Sequence, residues 1–257
     1  MAGPPQSEQE SEHPLLAHLS AARATSYLAV TRTPAEAVAL YRWNSHMSAA
    51  LHESLGLAEV ALRNAIDHQL RAWNQVQPPA FDTAYTNDWV ENPSRPLWAI
   101  LNPAQRHGGR RSTYQAAFHR ALQSRDRRAT GHPRFGAPIT HDDVIAHITF
   151  GTWSHLIPRR DAQGRLKPAG QRLLWNQALK NAFPAHPDPS VIKFWVDRLL
   201  HLRNRVAHLE PLIDADILGY HRTIARLLRA IDPALGDWYA GTSPVISTYQ
   251  RRPRLYR

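Results

Sequence analysis

The sequence predicts an all-α fold, and three observations carry this prediction. Apolar residues recur at spacings of three and four along most of the chain, which is the period of an amphipathic helix. Helix start signals stand before several of these periodic segments. No alternating apolar and polar run of convincing length predicts a strand. We therefore expect an elongated bundle of antiparallel helices with no substantial sheet.

The chain divides into three parts by composition. Residues 1–13 are acidic, polar and proline-containing, so we expect them to be disordered. Length and composition allow one large helical domain or two small ones with ample apolar material for a core, and we favour one domain over residues 14–241. Residues 242–257 end in a basic sequence and are expected to form a mobile tail.

The first half of the domain is dominated by one long periodic segment. A short helix is expected over residues 15–29. Thr33 then provides a cap, with Glu36 reaching back as in a capping box, and helical spacing continues to about Trp73. A glycine in a helix costs only about 1 kcal/mol, so Gly56 leaves two choices open. The segment is either one very long helix or two helices joined near Gly56.

The second half contains shorter helices separated by loops. Residues 76–111 are rich in Pro, Asn, Arg and Gly and are expected to be loop with short helical pieces. Further helices are predicted over residues 112–128, 140–156, 171–183, 189–211 and 214–231.

The helix predicted over residues 189–211 is the centre of the functional argument. Ser190 is expected to cap its start, and Pro211 to end it, because proline has no amide donor for the next turn. One face is apolar and the opposite face is polar. The apolar stripe comprises Ile192, Trp195, Leu199, Leu202, Val206 and Leu209.

Three polar residues near the end of this helix form a candidate site. Asn204 and His208 are four positions apart and share a face, so the amide can orient the imidazole. Arg203 lies at the edge of the apolar stripe, and no carboxylate stands four positions before or after it. A guanidinium in that place is costly unless an anion meets it, and a phosphate would supply one.

Four segments and this motif resemble a known family. The segments are residues 40–44, 59–66, 150–156 and 202–204, with the sequences LYRWN, EVALRNAI, FGTWSHL and LRN. Arg203, Asn204 and His208 match the R-x(4 to 6)-H signature of HEPN domains, and the ordered set resembles the Abi-like proteins, the HEPN branch linked to bacterial abortive infection. The R-x4-H spacing also occurs at Arg63/His68 and Arg127/His132, so the ordered set carries the resemblance rather than the spacing alone.

The resemblance implies a HEPN-type fold and a metal-independent endoribonuclease that needs no cofactor. Arg203, Asn204 and His208 would be catalytic, because histidine transfers protons near neutral pH and arginine suits phosphate oxygens. Each chain carries one motif, so a full acid and base pair implies a homodimer through the motif helix. RNA is the implied substrate, and an antitoxin or a phage-derived activator is a further implied partner. The expected substrate-binding residues are Arg205, His201, Arg63 and Asn64.

The first copy of the Leu-Arg-Asn-x-x-x-His pattern also has a structural interpretation. Glu59 and Asp67 stand four positions before and after Arg63, so the charge of Arg63 has partners on its own helix. We therefore favour a structural role for Arg63, which can still shape the site from across the core. His68 is expected to be a surface histidine.

Composition limits the classes of function. The formal net charge is +10, which favours polyanionic partners, although an arginine-rich background produces the same charge. The chain has no cysteine, which excludes disulfides, thiolate zinc sites and iron–sulfur clusters. No secretory signal and no apolar run long enough to span a bilayer is present, so we expect a cytoplasmic protein that does not enter a membrane.

Two other functions stay open at this point. In the first, the motif is architectural: His208 is hydrogen-bonded at a helix end, Arg203 is tied to Glu210 or Asp214, and the chain is a non-catalytic interaction module, for example one half of a toxin–antitoxin pair. In the second, the basic surface alone binds nucleic acid.

Overall fold

The computed structural model describes residues 13–79, 83–104 and 112–256 and confirms a mainly helical fold. The helices are α1 Pro14–Ala17, α2 Ala21–Leu28, α3 Pro34–Gln75, α4 Leu97–Leu101, α5 Thr113–Asp126, α6 His141–Ala146, α7 Phe150–Leu156, α8 Ala169–Gln177, α9 Pro189–Ala207, α10 Ile217–Ile231, α11 Pro233–Thr242 and α12 Val245–Gln250. A 3-10 turn spans Leu179–Ala182. Strands β1 Arg159–Arg160 and β2 Leu166–Lys167 form the one small antiparallel sheet of the described residues, with Arg159 opposite Lys167.

Helix α3 is a single helix of 42 residues, about 63 Å long. Thr33 caps it as predicted, since its hydroxyl accepts a hydrogen bond from the Glu36 amide at 3.2 Å. The Glu36 carboxylate in turn accepts from the Arg32 amide at 2.8 Å. A Cβ on Gly56 would meet no atom within 4 Å, so this glycine does not serve a close approach there.

The core lies along α3. Helices α2, α9, α10 and α12 all pack on it, and α11 folds back on α10. The largest fully buried side chains come from several of these layers: Tyr27, Trp89, Trp153, Phe150, Phe183 and Tyr239. Helix α9 runs antiparallel to α3, because the Leu212 amide beyond its end donates to the buried Asn44 side chain at 2.7 Å.

The C-terminal segment differs from the predicted mobile tail. The indole of Trp43 donates to the Thr248 carbonyl oxygen at 3.0 Å, and the amide of Tyr256 donates to the Val30 carbonyl oxygen at 2.9 Å. The Arg32 guanidinium lies 3.9 Å from the centre of the Tyr256 ring. Residues 243–256 therefore pack against the start of α3 and belong to the same folded unit.

Several helix boundaries also differ from expectation. The predicted helix over residues 15–29 is divided into α1 and α2, and the predicted helix over 140–156 is divided into α6 and α7 by residues 147–149. Thr140 caps α6 in a capping box with Asp143, as predicted. The predictions of disorder for residues 1–13 and of loop for residues 76–111 fall partly outside the described residues. In the described part of the chain, no helix combines the length and apolarity that crossing a bilayer requires.

Candidate functional site

Both ends of helix α9 differ from the sequence prediction: a different residue caps its start, and the helix ends before Pro211. The side chain of Asp188, not Ser190, caps its start and accepts from the Ser190 amide at 2.8 Å. The helix ends at Ala207 rather than at Pro211. Leu209 adopts a left-handed conformation with a φ of 51°, while the Leu209 and Glu210 amides donate back to Val206 and Arg205 carbonyl oxygens at 3.0 Å each. This is the Schellman pattern of a helix end, which glycine usually forms.

The early end places His208 at the cap of α9 instead of inside the helix. Arg203, Asn204 and His208 are all exposed, as is His201. The amide of His208 donates to the carbonyl oxygen of Asn204 at 3.0 Å. No hydrogen bond joins the Asn204 amide group to the His208 ring within the described part of the chain, so the expected orientation of the imidazole by Asn204 is not seen.

Arg205 holds the end of the helix. Its guanidinium donates to the Pro211 carbonyl oxygen at 2.7 Å and lies 3.4 Å from the Glu210 carboxylate. Glu210 therefore pairs with Arg205, whereas the architectural interpretation predicted that Glu210 or Asp214 would pair with Arg203. Because these contacts tie the turn after α9 to the helix, Arg205 fixes the position of His208.

A carboxylate on α3 interacts electrostatically with Arg203. Burial raises the pKa of Glu59, and this rise is opposed by Arg203, Arg63 and His52 in that order. Charges act on one another over a range on the order of 10 Å, so these groups form one cluster at the crossing of α3 and α9. Arg203 makes no direct ion pair among the described residues. The sequence identified Glu59 only as a neighbour of Arg63, because nothing in it shows which helices cross.

Arg63 lacks the ion pairs on its own helix that the sequence predicts. The Asp67 carboxylate accepts from Trp89 Nε1 at 2.7 Å, lies 2.7 Å from His141 Nε2, and pairs on its own helix with Arg71 at 3.9 Å. The Nε atom of Arg63 makes a weak contact of 3.4 Å with Asn64 Oδ1. The arginine is half-buried and keeps most of its donors open.

A cavity of about 520 Å³ lies beside this first motif copy. Arg63, Asn64 and His68 line it, together with Asp67, Arg71, Asp142 and Ile145. The sequence predicted Arg63 and Asn64 as substrate-binding residues and His68 as a surface histidine. The structure places all three on the wall of one cavity.

His141 is the central residue of a buried charged network behind this cavity. Its Nδ1 atom lies 2.8 Å from the Asp88 carboxylate and its Nε2 atom lies 2.7 Å from that of Asp67. Burial by itself lowers the pKa of His141, but the hydrogen bonds to Asp67 and Asp88 outweigh burial and raise the pKa to about 9. At neutral pH this histidine is therefore an imidazolium that joins α6 to α3.

A second polar cluster joins α7 to α9. Lys193 Nζ lies 2.6 Å from the Ser154 hydroxyl and 2.8 Å from the Asp197 carboxylate, and it also donates to the Ser154 carbonyl oxygen at 3.1 Å. Ser154 is buried, and both of its partners hold its hydroxyl. These contacts fix the start of α9 in place and leave the serine inaccessible. Among the described residues, no group of three or more His, Asp or Glu has the arrangement to hold a metal ion.

Comparison with known proteins identifies no relative: no family model, no curated protein and no solved structure matches the chain.

Proposed function

We propose that this chain is a metal-independent endoribonuclease of HEPN type, with Arg203 and His208 as the catalytic residues. The observation that carries the proposal is the exposure of both side chains at the end of α9, with no ion pair to Arg203 among the described residues. Such an arginine offers its donors to phosphate oxygens, and the net charge of +10 attracts a polyanion.

The proposed cleavage reaction needs no cofactor. His208 takes the proton of a ribose 2′-hydroxyl, whose oxygen forms a bond to the neighbouring phosphorus. Arg203 stabilises the negative charge that builds on the phosphate oxygens, because its fork of donors matches their geometry. The bond from phosphorus to the 5′-oxygen then breaks, and an acid protonates that oxygen. The products are a 2′,3′-cyclic phosphate and a 5′-hydroxyl.

One chain supplies one His208, and the missing acid is the reason to propose a two-fold dimer. Two apolar side chains close in sequence to these residues are exposed: Leu209, which follows the motif, and Val60, which follows Glu59 on α3. In the proposed dimer, a second copy covers apolar surface of this kind and supplies a second motif. The role in abortive infection and an antitoxin or phage-derived activator belong to the same proposal and are supported by the family resemblance.

A non-catalytic RNA-binding or interaction module is the second candidate. Two observations favour it: the imidazole of His208 is not held by Asn204, and the Glu59 carboxylate lies within electrostatic reach of Arg203. In this case, RNA would bind to the same cations without being cut.

The two candidates differ in one experiment. Wild type, Arg203→Ala and His208→Ala are incubated with total RNA in excess chelator, and the ends of the fragments are identified. Arg127→Ala and His132→Ala are matched controls, because this pair has the same spacing and is also exposed. We expect cyclic phosphate ends from wild type and controls, and a rate about 10² to 10⁴ lower in both motif variants. RNA binding by wild type without motif-dependent cleavage would instead establish the binding module.

A further inference from the structure

A second cavity, of about 260 Å³, lies between α5 and the segment that joins α6 to α7. Its polar wall is built by Arg120 of α5, by His147 and by three threonines, namely Thr113, Thr149 and Thr152. No carboxylate lines it among the described residues. Arg120 is therefore the charged side chain on the described part of the wall, while the Asp143 carboxylate acts on His147 from outside the wall.

Contacts within the protein hold the polar groups of this cavity in place and leave some of their hydrogen-bond donors free. The guanidinium of Arg120 donates one hydrogen bond to the His147 carbonyl oxygen at 2.9 Å, which fixes it on the wall and leaves its other donors open. The hydroxyls of Thr149 and Thr152 lie 3.1 Å apart, so one of them can donate into the cavity. Burial, and then the charge of Arg120, lower the pKa of His147 against the opposing effect of Asp143, which favours the neutral ring with one N–H donor.

This set of groups suits a phosphate. One cation and several neutral donors converge on a volume that is smaller than the about 300 Å³ at which pockets for small molecules begin. A phosphate with part of its ribose fits such a volume, while the base stays outside. Contacts of this kind position a nucleic-acid strand and carry no sequence information.

Arg63 connects this cavity to the cluster at α9. It is close enough to lower the pKa of His147, and it also opposes the raised pKa of Glu59, as Arg203 does. Arg63 on α3 thus acts on Glu59, as Arg203 of α9 does, and on His147, as Arg120 of α5 does. The larger cavity beside Arg63 is also lined by Ile145 of α6, two residues before His147.

We propose that the cavity at Arg120 binds a backbone phosphate of a single-stranded RNA that extends from Arg203 past Arg63. The inference rests on the proposed function for its substrate class and adds a binding site distant from the cleaved bond. It assigns Arg120, Thr113 and Thr152 to RNA binding, none of which the sequence suggested for that role.

The test measures RNA binding instead of cleavage. A fluorescent single-stranded RNA of about ten nucleotides is titrated, in excess chelator and at several salt concentrations, with His208→Ala protein carrying a second substitution. Arg120→Gln removes the cation, and Thr113→Val removes a hydroxyl while keeping the shape of the side chain. Arg125→Gln is the matched control, because Arg125 lies on the same helix and pairs with Asp126 outside the cavity. Circular dichroism and thermal unfolding confirm that each protein is folded.

We expect Arg120→Gln to weaken RNA binding about tenfold, the loss typical of a hydrogen bond to a charged group. The slope of log affinity against log salt should fall by about 0.7, as for one lost phosphate contact on a single strand. Thr113→Val should weaken binding by a smaller factor, and Arg125→Gln should leave affinity and slope unchanged.

Three results would overturn the proposal. The first is equal affinity and salt slope for Arg120→Gln and Arg125→Gln, and the second is no RNA binding by the parent protein. The third is a cavity that binds a free nucleotide instead: Arg120→Gln would then weaken the binding of adenosine monophosphate and leave RNA binding unchanged. Loss of cleavage in Arg203→Ala is a separate readout, so the binding site and the ribonuclease activity can fail independently.

Discussion

His141 is expected to lose its proton near pH 9, and the folded state is expected to lose stability with it. The ring is almost fully buried, with 8% of its side chain exposed, and lies between the carboxylates of Asp67 and Asp88. Its pKa is about 9 in the folded chain, whereas an unperturbed histidine has a pKa of about 6.5. Each unit of difference corresponds to about 1.4 kcal/mol, so the charged network contributes on the order of 3 kcal/mol to the free energy of unfolding.

The sign of the effect follows from the direction of the shift. The pKa of His141 is higher in the folded state, so its contribution is fully present below about pH 6.5 and is lost as the pH rises through 9. For Asp88, burial raises the pKa, but the hydrogen bonds, led by that from His141, lower it overall. Its contribution is therefore present at neutral pH and is lost in acid, so the network stabilises the fold between these two limits.

Urea unfolding of wild type and His141→Gln at intervals from pH 6 to pH 10 measures this contribution. Tyrosines and lysines also titrate at the alkaline end, and the difference between the two proteins removes their effect. We expect that difference to shrink by about 3 kcal/mol from pH 6 to pH 10. His68→Gln is the control, since His68 is exposed on the wall of the neighbouring cavity and should follow the wild-type profile.

A difference between wild type and His141→Gln that stayed constant over this range would contradict a charged His141. The histidine would then be neutral in the folded chain, and the two short contacts to Asp67 and Asp88 would not be charged hydrogen bonds. A titration of the histidine rings followed by NMR tests the same point without unfolding the protein.

Three further predictions concern α9 and its end. Asp188→Ala should cost about 1 kcal/mol in unfolding free energy, as loss of a cap does, whereas Ser190→Ala should be near neutral because the buried Ser190 hydroxyl has no hydrogen-bond partner. Asn44→Ala should cost about 1 to 3 kcal/mol, because it leaves the buried Leu212 amide without an acceptor. Leu209→Gly should stabilise the chain by about 1 kcal/mol, since Leu209 is 53% exposed and its φ of 51° suits glycine. Urea unfolding at pH 7 measures all three.

The ends of α9 illustrate what the sequence predicts and what it leaves out. The periodic stripe located the helix correctly, and five of its six apolar residues are buried. Ser190 was the wrong cap, because a proline at position 189 occupies the first helical position and the cap must stand before it. The early end carries no glycine or asparagine at the left-handed position, and the local signal, Pro211, lies three residues beyond the cap at His208, so it placed the end too late. The turn is held by Arg205, whose contacts with Glu210 and Pro211 become visible only in the folded chain.

The packed C-terminal segment was missed for a related reason. Residues 242–257 look like a basic tail, because arginine and proline dominate their end. In the fold, Trp43 and Val30 provide a donor and an acceptor for backbone groups of this segment, and Arg32 provides a cation for the ring of Tyr256. These partners lie near the other end of the chain, and composition contains no information about them.

The same kind of long-range contact decides the charge state of the candidate site. On α3 alone, Asp67 stands four residues after Arg63 and would partly neutralise it. In the fold, His141 and Trp89 are hydrogen-bonded to that carboxylate. A buried imidazolium or indole N–H without a partner would cost more free energy than a half-exposed arginine without one. The network at His141 therefore acts twice: it ties α6 to α3, and it leaves Arg63 with open donors between the cluster at α9 and the cavity at Arg120. The helix pattern predicts that carboxylates on α3 pair with Arg63, whereas in the fold the donors of Arg63 stay open to a phosphate.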